Sequence, residues 1–112
     1  MFLIVAKFLI PKGFRGLTLF PFVLVKFPKD KENIILVNHE KIHLRQQLEL
    51  LILPFFIWYL LEYLIRLGQY QNANLAYRNI SFEREAYANE SNLEYLKNRS
   101  FFSFYNYLFL KK

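Results

Sequence analysis

The run from Leu50 to Leu61 is apolar over twelve residues and meets charge on both sides, Glu49 before it and Glu62 and Arg66 after it. Crossing a bilayer as a helix takes about 20 apolar residues, so this run is too short to span unaided. It has to be covered, and three placements cover it: shallow insertion at a membrane interface with Trp58, Tyr59 and Tyr63 at headgroup level, burial as a core helix, or a kinked span of a thin bilayer. Interfacial insertion is the leading expectation. Pro54 lies inside the run, removes a backbone donor and clashes with the preceding turn, so a helix arriving from the N-terminal side should stop or kink there. The pattern predicts one helix over residues 34 to 53 and a second, apolar one over 55 to 67, with Gly68 as its C-terminal cap.

A chain of 112 residues is expected to form one domain with a small core. Thirteen Phe and eight Tyr exceed what such a core needs, so some aromatic side chains should face lipid or a partner. Charge is uneven: residues 1 to 31 carry six basic and one acidic side chain, residues 32 to 96 five and eight, and residues 97 to 112 four and none. Basic, aromatic-rich ends around an acidic middle suit an anionic membrane surface, and no basic stripe or nucleic-acid motif accompanies them. A solvated, solubilising surface is the plain alternative. Cysteine is absent, which excludes disulfides, thiolate metal sites and cysteine nucleophiles.

The first 33 residues read as strand-rich. Phe2 to Ile10 is apolar but interrupted by Lys7 and followed by Pro11-Lys12-Gly13, so a removable signal peptide is not expected. Leu17 to Phe27 is rich in β-branched and aromatic residues with Pro21 inside it, which predicts an edge strand with Phe2 to Ile10 as its hairpin partner. Lys29 to Asn33 reads as a charged turn, and Ala73 to about Leu96 has helical periodicity. The aromatic, basic tail over 97 to 112 should pack back on the domain or lie at a membrane surface.

Both histidines of the chain fall within His39-Glu40-Lys41-Ile42-His43. Residues i and i+4 lie one turn apart on a helix face, so two imidazoles can reach one metal while the intervening glutamate acts on a water; this is the H-E-x-x-H spacing of zinc hydrolases. Lys41, Arg45 and Glu49 fall on one side of the predicted helix, and His39, Ile42, His43, Gln46 and Leu50 on the other. The histidines thus face inward. The bland reading makes them partly buried polar residues with ordinary hydrogen-bond partners.

A zinc hydrolase needs a third protein ligand, and with no third histidine a carboxylate has to supply it. Glu49, Glu62, Glu83, Glu85, Glu90 and Glu94 are available. In the helix from Ala73, positions 76, 80, 83 and 87 form one mostly apolar stripe, and Arg78, Glu85, Asn89 and Asn92 the opposite one. Glu83 faces inward and Glu85 reads as solvated, while Glu90 and Glu94 prolong the Glu83 stripe as fallback ligands. An inward carboxylate needs a cation, a donor or a metal, and pairing with Arg66 or Arg99 would also satisfy it.

His39-Glu40-x-x-His43, followed by Phe82-Glu83-Arg84-Glu85-Ala86-Tyr87, resembles the gluzincin metallopeptidases, and most closely their membrane-associated branches, the CAAX-prenyl-protease-like and BlaR-type sensor peptidases, whose downstream helix carries Glu-x-x-Ala-Asp. The resemblance covers about residues 36 to 90. It implies a minimal zincin-like α+β domain: a short antiparallel N-terminal sheet on the H-E-x-x-H helix, an apolar helix and a glutamate-bearing helix. It also implies zinc on His39, His43 and Glu83, Glu40 as general base for peptide hydrolysis, and Ala86 as the small residue where two helices approach. Gln46 matches a His-x-x-Gln continuation seen in some relatives. The edge strand ahead of the metal helix would pair with an extended peptide or protein substrate.

One position departs from the pattern. Tyr87 stands where an aspartate usually holds a zinc-binding imidazole, which leaves Asn38, Asn79 or a backbone carbonyl to orient that ring. The alternative function is a non-catalytic, zinc-stabilised, membrane-associated adaptor or regulatory protein; a metal-free membrane-surface protein is a third. Expected partners are a peptide substrate and a membrane surface, with no nucleic acid. The expected location is membrane-associated, extending to an integral span, and cytoplasmic otherwise.

Overall fold

The computed structural model describes residues 1 to 108; Phe109 to Lys112, the end of the aromatic tail, lie outside the described residues. Instead of one edge strand over Leu17 to Phe27, the chain turns at Phe20-Pro21 into a hairpin of β2 (Gly16–Leu19) and β3 (Phe22–Val25). Pro21 has no N–H for a ladder, so it sits in the connection. β1 (Phe2–Val5) pairs with the far side of β3 in parallel, Phe2 opposite Phe22 and Val5 opposite Val25. The sheet is therefore mixed, in the order β1-β3-β2, and the expected antiparallel pairing of the first segment with the second is corrected. Phe22-Val-Leu-Val carries no polar residue, and Val23 and Val25 are fully buried, so this strand gains from neighbours on both sides. β2, with Gly16 and Thr18, takes the edge.

Among the described residues five helices complete a small α+β domain: α1 (Ile34–Glu49), α2 (Leu53–Tyr70), α3 (Ala73–Arg78), α4 (Ser81–Asn89) and α5 (Tyr95–Asn98). The charged turn before α1 is a short 3-10 segment opened by Pro28, in which Asp30 is buried, accepts from Phe27 N at 2.9 Å and pairs with Arg15. Asn33 then caps α1, its side chain accepting from Leu36 N. This gives a long helix a defined start.

α1 stops before Pro54. Leu51 and Ile52 have φ of 60° and 64°, Leu53 N bonds to Leu51 O at 2.7 Å, and α1 and α2 meet at 112°. Pro54 then lies in the first turn of α2, where its missing N–H costs nothing. α2 also runs past Gly68 to Tyr70 and ends on Gln71 in the left-handed region, so Gly68 is not its cap.

The segment from Ala73 is not one helix. Glu62, buried on the inner face of α2, accepts from Ser81 N at 2.7 Å and from the Ser81 hydroxyl, and takes Trp58 Nε1–H at 3.0 Å. A carboxylate from another helix thus supplies the missing partner for the first turn of α4, and the chain breaks at Asn79-Ile80 to present those donors. Phe55, Ile80, Phe82 and Phe104 form the buried aromatic core, with ring centroids 4.4 Å apart for Phe55 and Phe82 and 4.6 Å for Phe82 and Phe104.

Trp58, Tyr59 and Tyr63 are partly buried against that core. The outer stripe of α2 is aliphatic instead, and Leu53, Ile57, Leu60, Leu61, Leu64 and Ile65 are each more than half exposed. Among the described residues no single helix is long and apolar enough to cross a membrane; the bent α1 and α2 pair meets that test only jointly.

A left-handed conformation costs a non-glycine residue roughly 1–2 kcal/mol, and asparagine tolerates it better than leucine. Leu51 is 77% exposed, so little burial is lost on replacement. Leu51→Asn is expected to raise the melting midpoint by roughly 2–5 °C, read by circular dichroism. A fall of that size would show instead that the Leu51 side chain contributes packing.

Candidate metal centre

α1 carries His39, Glu40 and His43 on the face toward the sheet and α4, all three buried. Glu83 lies in the first turn of α4, also buried, and points back at them. His39 Nε2 and His43 Nε2 are 3.2 Å apart, and Glu83 Oε1 is 3.3 Å from the first and 3.1 Å from the second. Each side chain offers one ligand atom, so the group can hold a metal ion. Glu83 therefore does not pair with Arg66 or Arg99.

The far side of each group is held by a different partner. His39 Nδ1 is 2.7 Å from Glu90 Oε1, His43 Nδ1 is 2.8 Å from Gln46 Oε1, and the Tyr59 hydroxyl donates to Glu83 Oε2 at 2.7 Å. A carboxylate only accepts, so the proton belongs on His39 Nδ1. Gln46 Nε2 donates to Phe82 O at 3.1 Å and Glu85 Oε1 at 2.9 Å, which turns its oxygen to His43 and places that ring's proton on Nδ1 as well. Both Nε2 lone pairs and a carboxylate oxygen then converge on one small volume. Three acceptors at this spacing repel unless a proton or a cation sits among them.

Without a metal, the proton takes that place. Burial pulls His43 down, but the Glu83 carboxylate, Glu40 and Gln46 outweigh it and leave the imidazole raised to about 9. Burial pushes Glu83 up, and His43 and His39 reverse this, holding the carboxyl far below the usual carboxylate range. Tyr59 and Tyr77 are pushed up by burial and then by Glu83, so both remain phenols able to donate.

Glu40 reaches the other wall. Its Oε1 accepts from Thr18 Oγ1 of β2 at 2.6 Å, and a Cβ at Gly16 would come within 2.8 Å of its Oε2. Glycine at 16 is what lets the carboxylate lie against the strand. Gln47 grips the same strand with both ends of its amide, donating to Thr18 O at 2.8 Å and accepting from Phe20 N at 2.7 Å. Lys26 N donates to Arg15 O, so Leu17 bonds across to Leu24, and the backbone groups of Gly16 and Thr18 point away from β3. β2 is the open edge of an open cleft of roughly 1120 Å³ whose walls include His39, Glu40, His43, Glu83, Tyr77 and Tyr87.

Glu90, expected only as a fallback ligand, meets the outer nitrogen of His39 instead. Tyr87 instead lays its ring edge-on to His39, centroids 4.5 Å apart, with its hydroxyl 3.2 Å from Tyr77 and Arg78 stacked over it. Asn38 and Asn79 do not orient an imidazole: Asn38 donates to Glu90 O at 2.8 Å, and Asn79 donates to Leu75 O. Glu94 is exposed and pairs with Lys97. Glu85, expected in solvent, is fully buried and pairs with Arg99, because α5 and the segment after it fold over that side of α4. Thr18, Gly16, Gln47 and Tyr59 carry no site signal in the sequence, since their roles arise only where β2, α1 and α2 meet.

Compared with known protein families, with curated proteins and with solved structures, the chain finds no match.

A group whose pKa rises on folding contributes its stability in full below its unfolded value and loses it as pH climbs through the folded one. Protein stripped with a chelator is therefore expected to lose thermal stability steadily from pH 6.5, the ordinary imidazole value, to about 9. His43→Phe should abolish that slope in melts recorded across the same window.

Proposed function

We propose that the protein is a zinc-dependent metallopeptidase with His39, His43 and Glu83 as ligands and Glu40 as general base. The observation that carries this reading is the convergence of two Nε2 lone pairs and Glu83 Oε1 within 3.1–3.3 Å, with every opposite atom already engaged. Ligands in a tetrahedral shell of about 2.0–2.1 Å radius stand about 3.3–3.4 Å apart, so the donor spacing suits a small cation. Two imidazoles and one carboxylate, with no thiolate, suit zinc with an open position.

A zinc ion held there would supply Lewis acidity to a water and to the scissile carbonyl. Glu40 accepts a proton from the attacking water as the new C–O bond forms, and delivers it to the amine as the C–N bond breaks. Thr18 and Gly16 keep the Glu40 carboxylate beside the strand, and Tyr59 fixes the orientation of Glu83. The outward N–H and C=O of Gly16 and the N–H of Thr18, whose carbonyl is taken by Gln47, provide a short edge on which an extended peptide can pair, giving register with little sequence preference.

Mass spectrometry of protein purified without added metal is expected to find about one zinc per chain, and His43→Ala to lose it. Glu40→Gln should keep the zinc and the melting midpoint while hydrolysis of an unstructured peptide falls by roughly 10²–10⁴. Absence of stoichiometric zinc from the parent overturns the reading. Zinc without turnover in the parent favours the non-catalytic, zinc-stabilised adaptor.

We also propose that the protein rests on an anionic membrane through α2. Six aliphatic side chains on one face, uninterrupted by charge, form a surface that water does not favour, and the chain's net charge of +6 suits acidic headgroups. The protein is expected to sediment with phosphatidylserine-containing vesicles and less with neutral phosphatidylcholine, and Leu60→Asp/Leu64→Asp to stay in the supernatant. Recovery of the parent in the supernatant with both vesicles at low salt would refute this placement.

A further inference from the structure

A fully buried polar network lies behind His43, on the side away from the cleft. Gln46 is fully buried, and its amide has no freedom: Nε2 is gripped by Phe82 O and Glu85 Oε1, leaving Oε1 for His43 Nδ1. Glu85 is fully buried too, and takes Arg99 Nε on one oxygen and Arg99 Nη2 on the other at 3.0 Å, with the Tyr95 hydroxyl at 2.5 Å from Oε2. Arg99, whose side chain is wholly buried, also donates to Glu49 Oε2 at 2.6 Å, and Glu49 Oε1 accepts from Phe102 N at 3.1 Å. Two carboxylates thus share one guanidinium, and the chain after α5 is tied to the end of α1.

We propose that Glu85, held by Arg99, is a positioning residue that sets the tautomer of His43 through Gln46 and thereby the affinity of the site for zinc. The inference rests on the zinc reading above and extends it to residues that touch neither metal nor substrate. Each hydrogen bond in the line has one sense only. A carboxylate flanked by a guanidinium can only accept, so the Gln46 amide must present its N–H to Glu85 and its oxygen to His43. His43 must then carry hydrogen on Nδ1 and keep the Nε2 lone pair free for a cation.

An amide at position 85 breaks that logic. Its oxygen is drawn to Arg99 and its N–H₂ turns to Gln46, so only the Phe82 carbonyl still draws the Gln46 N–H₂, and the reversed amide, which places an N–H against His43 Nδ1, becomes populated. The ring proton is then pushed to Nε2, the atom that should bind the metal. Glu85→Gln changes the direction of the line with almost no change of shape, whereas removal of Arg99 would strand two buried carboxylates and threaten the fold.

The test is zinc affinity measured by competition with a chromophoric chelator, on the full chain, for the parent, Glu85→Gln, Gln46→Met and the double variant. Either single substitution is expected to weaken zinc about 10- to 100-fold, and the double variant to be no weaker than the worse single, because both act on one ring through one path. In the cobalt-substituted protein, the visible spectrum of each variant should shift together with its affinity. Parent-like affinity in Glu85→Gln, or losses that multiply in the double variant, overturns the proposal; a chelated form with a lowered melting midpoint but unchanged affinity gives Glu85 a role in packing alone. Should Glu85→Gln fail to fold, Gln46→Met decides, since parent-like affinity there refutes the relay directly. A parent that binds no zinc at all is a different result and removes the metal reading itself.

Discussion

The structure turns on a buried carboxylate between two buried imidazoles. Glu83 enters from α4 and His39 and His43 from α1, and nothing apolar can take the place of that contact, because an isolated carboxylate at this depth is costly. Each participant is then steadied from behind: His39 by Glu90 just beyond α4, His43 by Gln46 one turn along α1, and Glu83 by Tyr59 of α2. Three helices and the segment after α4 are thus placed relative to one another by directional bonds. Apolar packing fixes distance well and angle poorly; this layer fixes angle.

The aromatic core lies on the other side of the same helices. Phe82 is next to Glu83 in sequence and reaches Phe55 and Phe104, so α4 presents a ligand to one layer and an anchor to the other. Glu62 joins them, because a carboxylate of α2 caps the start of α4 and so sets where Glu83 begins its turn. The sharp corner at Leu51 and Ile52 serves the same end. It swings α2 through 112° to bring Tyr59 over the site while leaving the opposite, aliphatic face uncovered.

Much of the site was legible because it follows helical arithmetic. His39 and His43 are four residues apart on one predicted helix with Glu40 directly after the first, and Glu83 falls on an inward stripe, so their meeting needed only two helices to pack by their inner faces. What defeated that arithmetic was tertiary cover. Glu85 sits on the polar stripe of its helix, and only the return of the chain through Tyr95 and Arg99 buries it. Glu90 was placed among candidate ligands, yet the end of α4 carries it to the outer nitrogen of His39, while Tyr87 packs edge-on to the same ring. The strands followed the same rule. The apolarity of Phe22 to Val25 promised a strand, but which neighbours it would take depended on where the hairpin turned and where β1 returned.

The sequence by itself determined the content of the site and its phase: two imidazoles and a glutamate on one face, a carboxylate on the face that would meet them, and an apolar run too short to span a bilayer and broken by proline. Those properties are local, carried by spacing along a helix and by side-chain chemistry. Only the tertiary structure decided which atom of each imidazole is free, because that choice belongs to Glu90 and to Gln46 under the hold of Glu85, and those two glutamates meet their partners from 51 and 39 positions away along the chain. The same holds for Gly16 and Thr18 beside Glu40. Hydrogen-bond direction is a property of pairs, and the pairs exist only once the helices and the sheet edge have met.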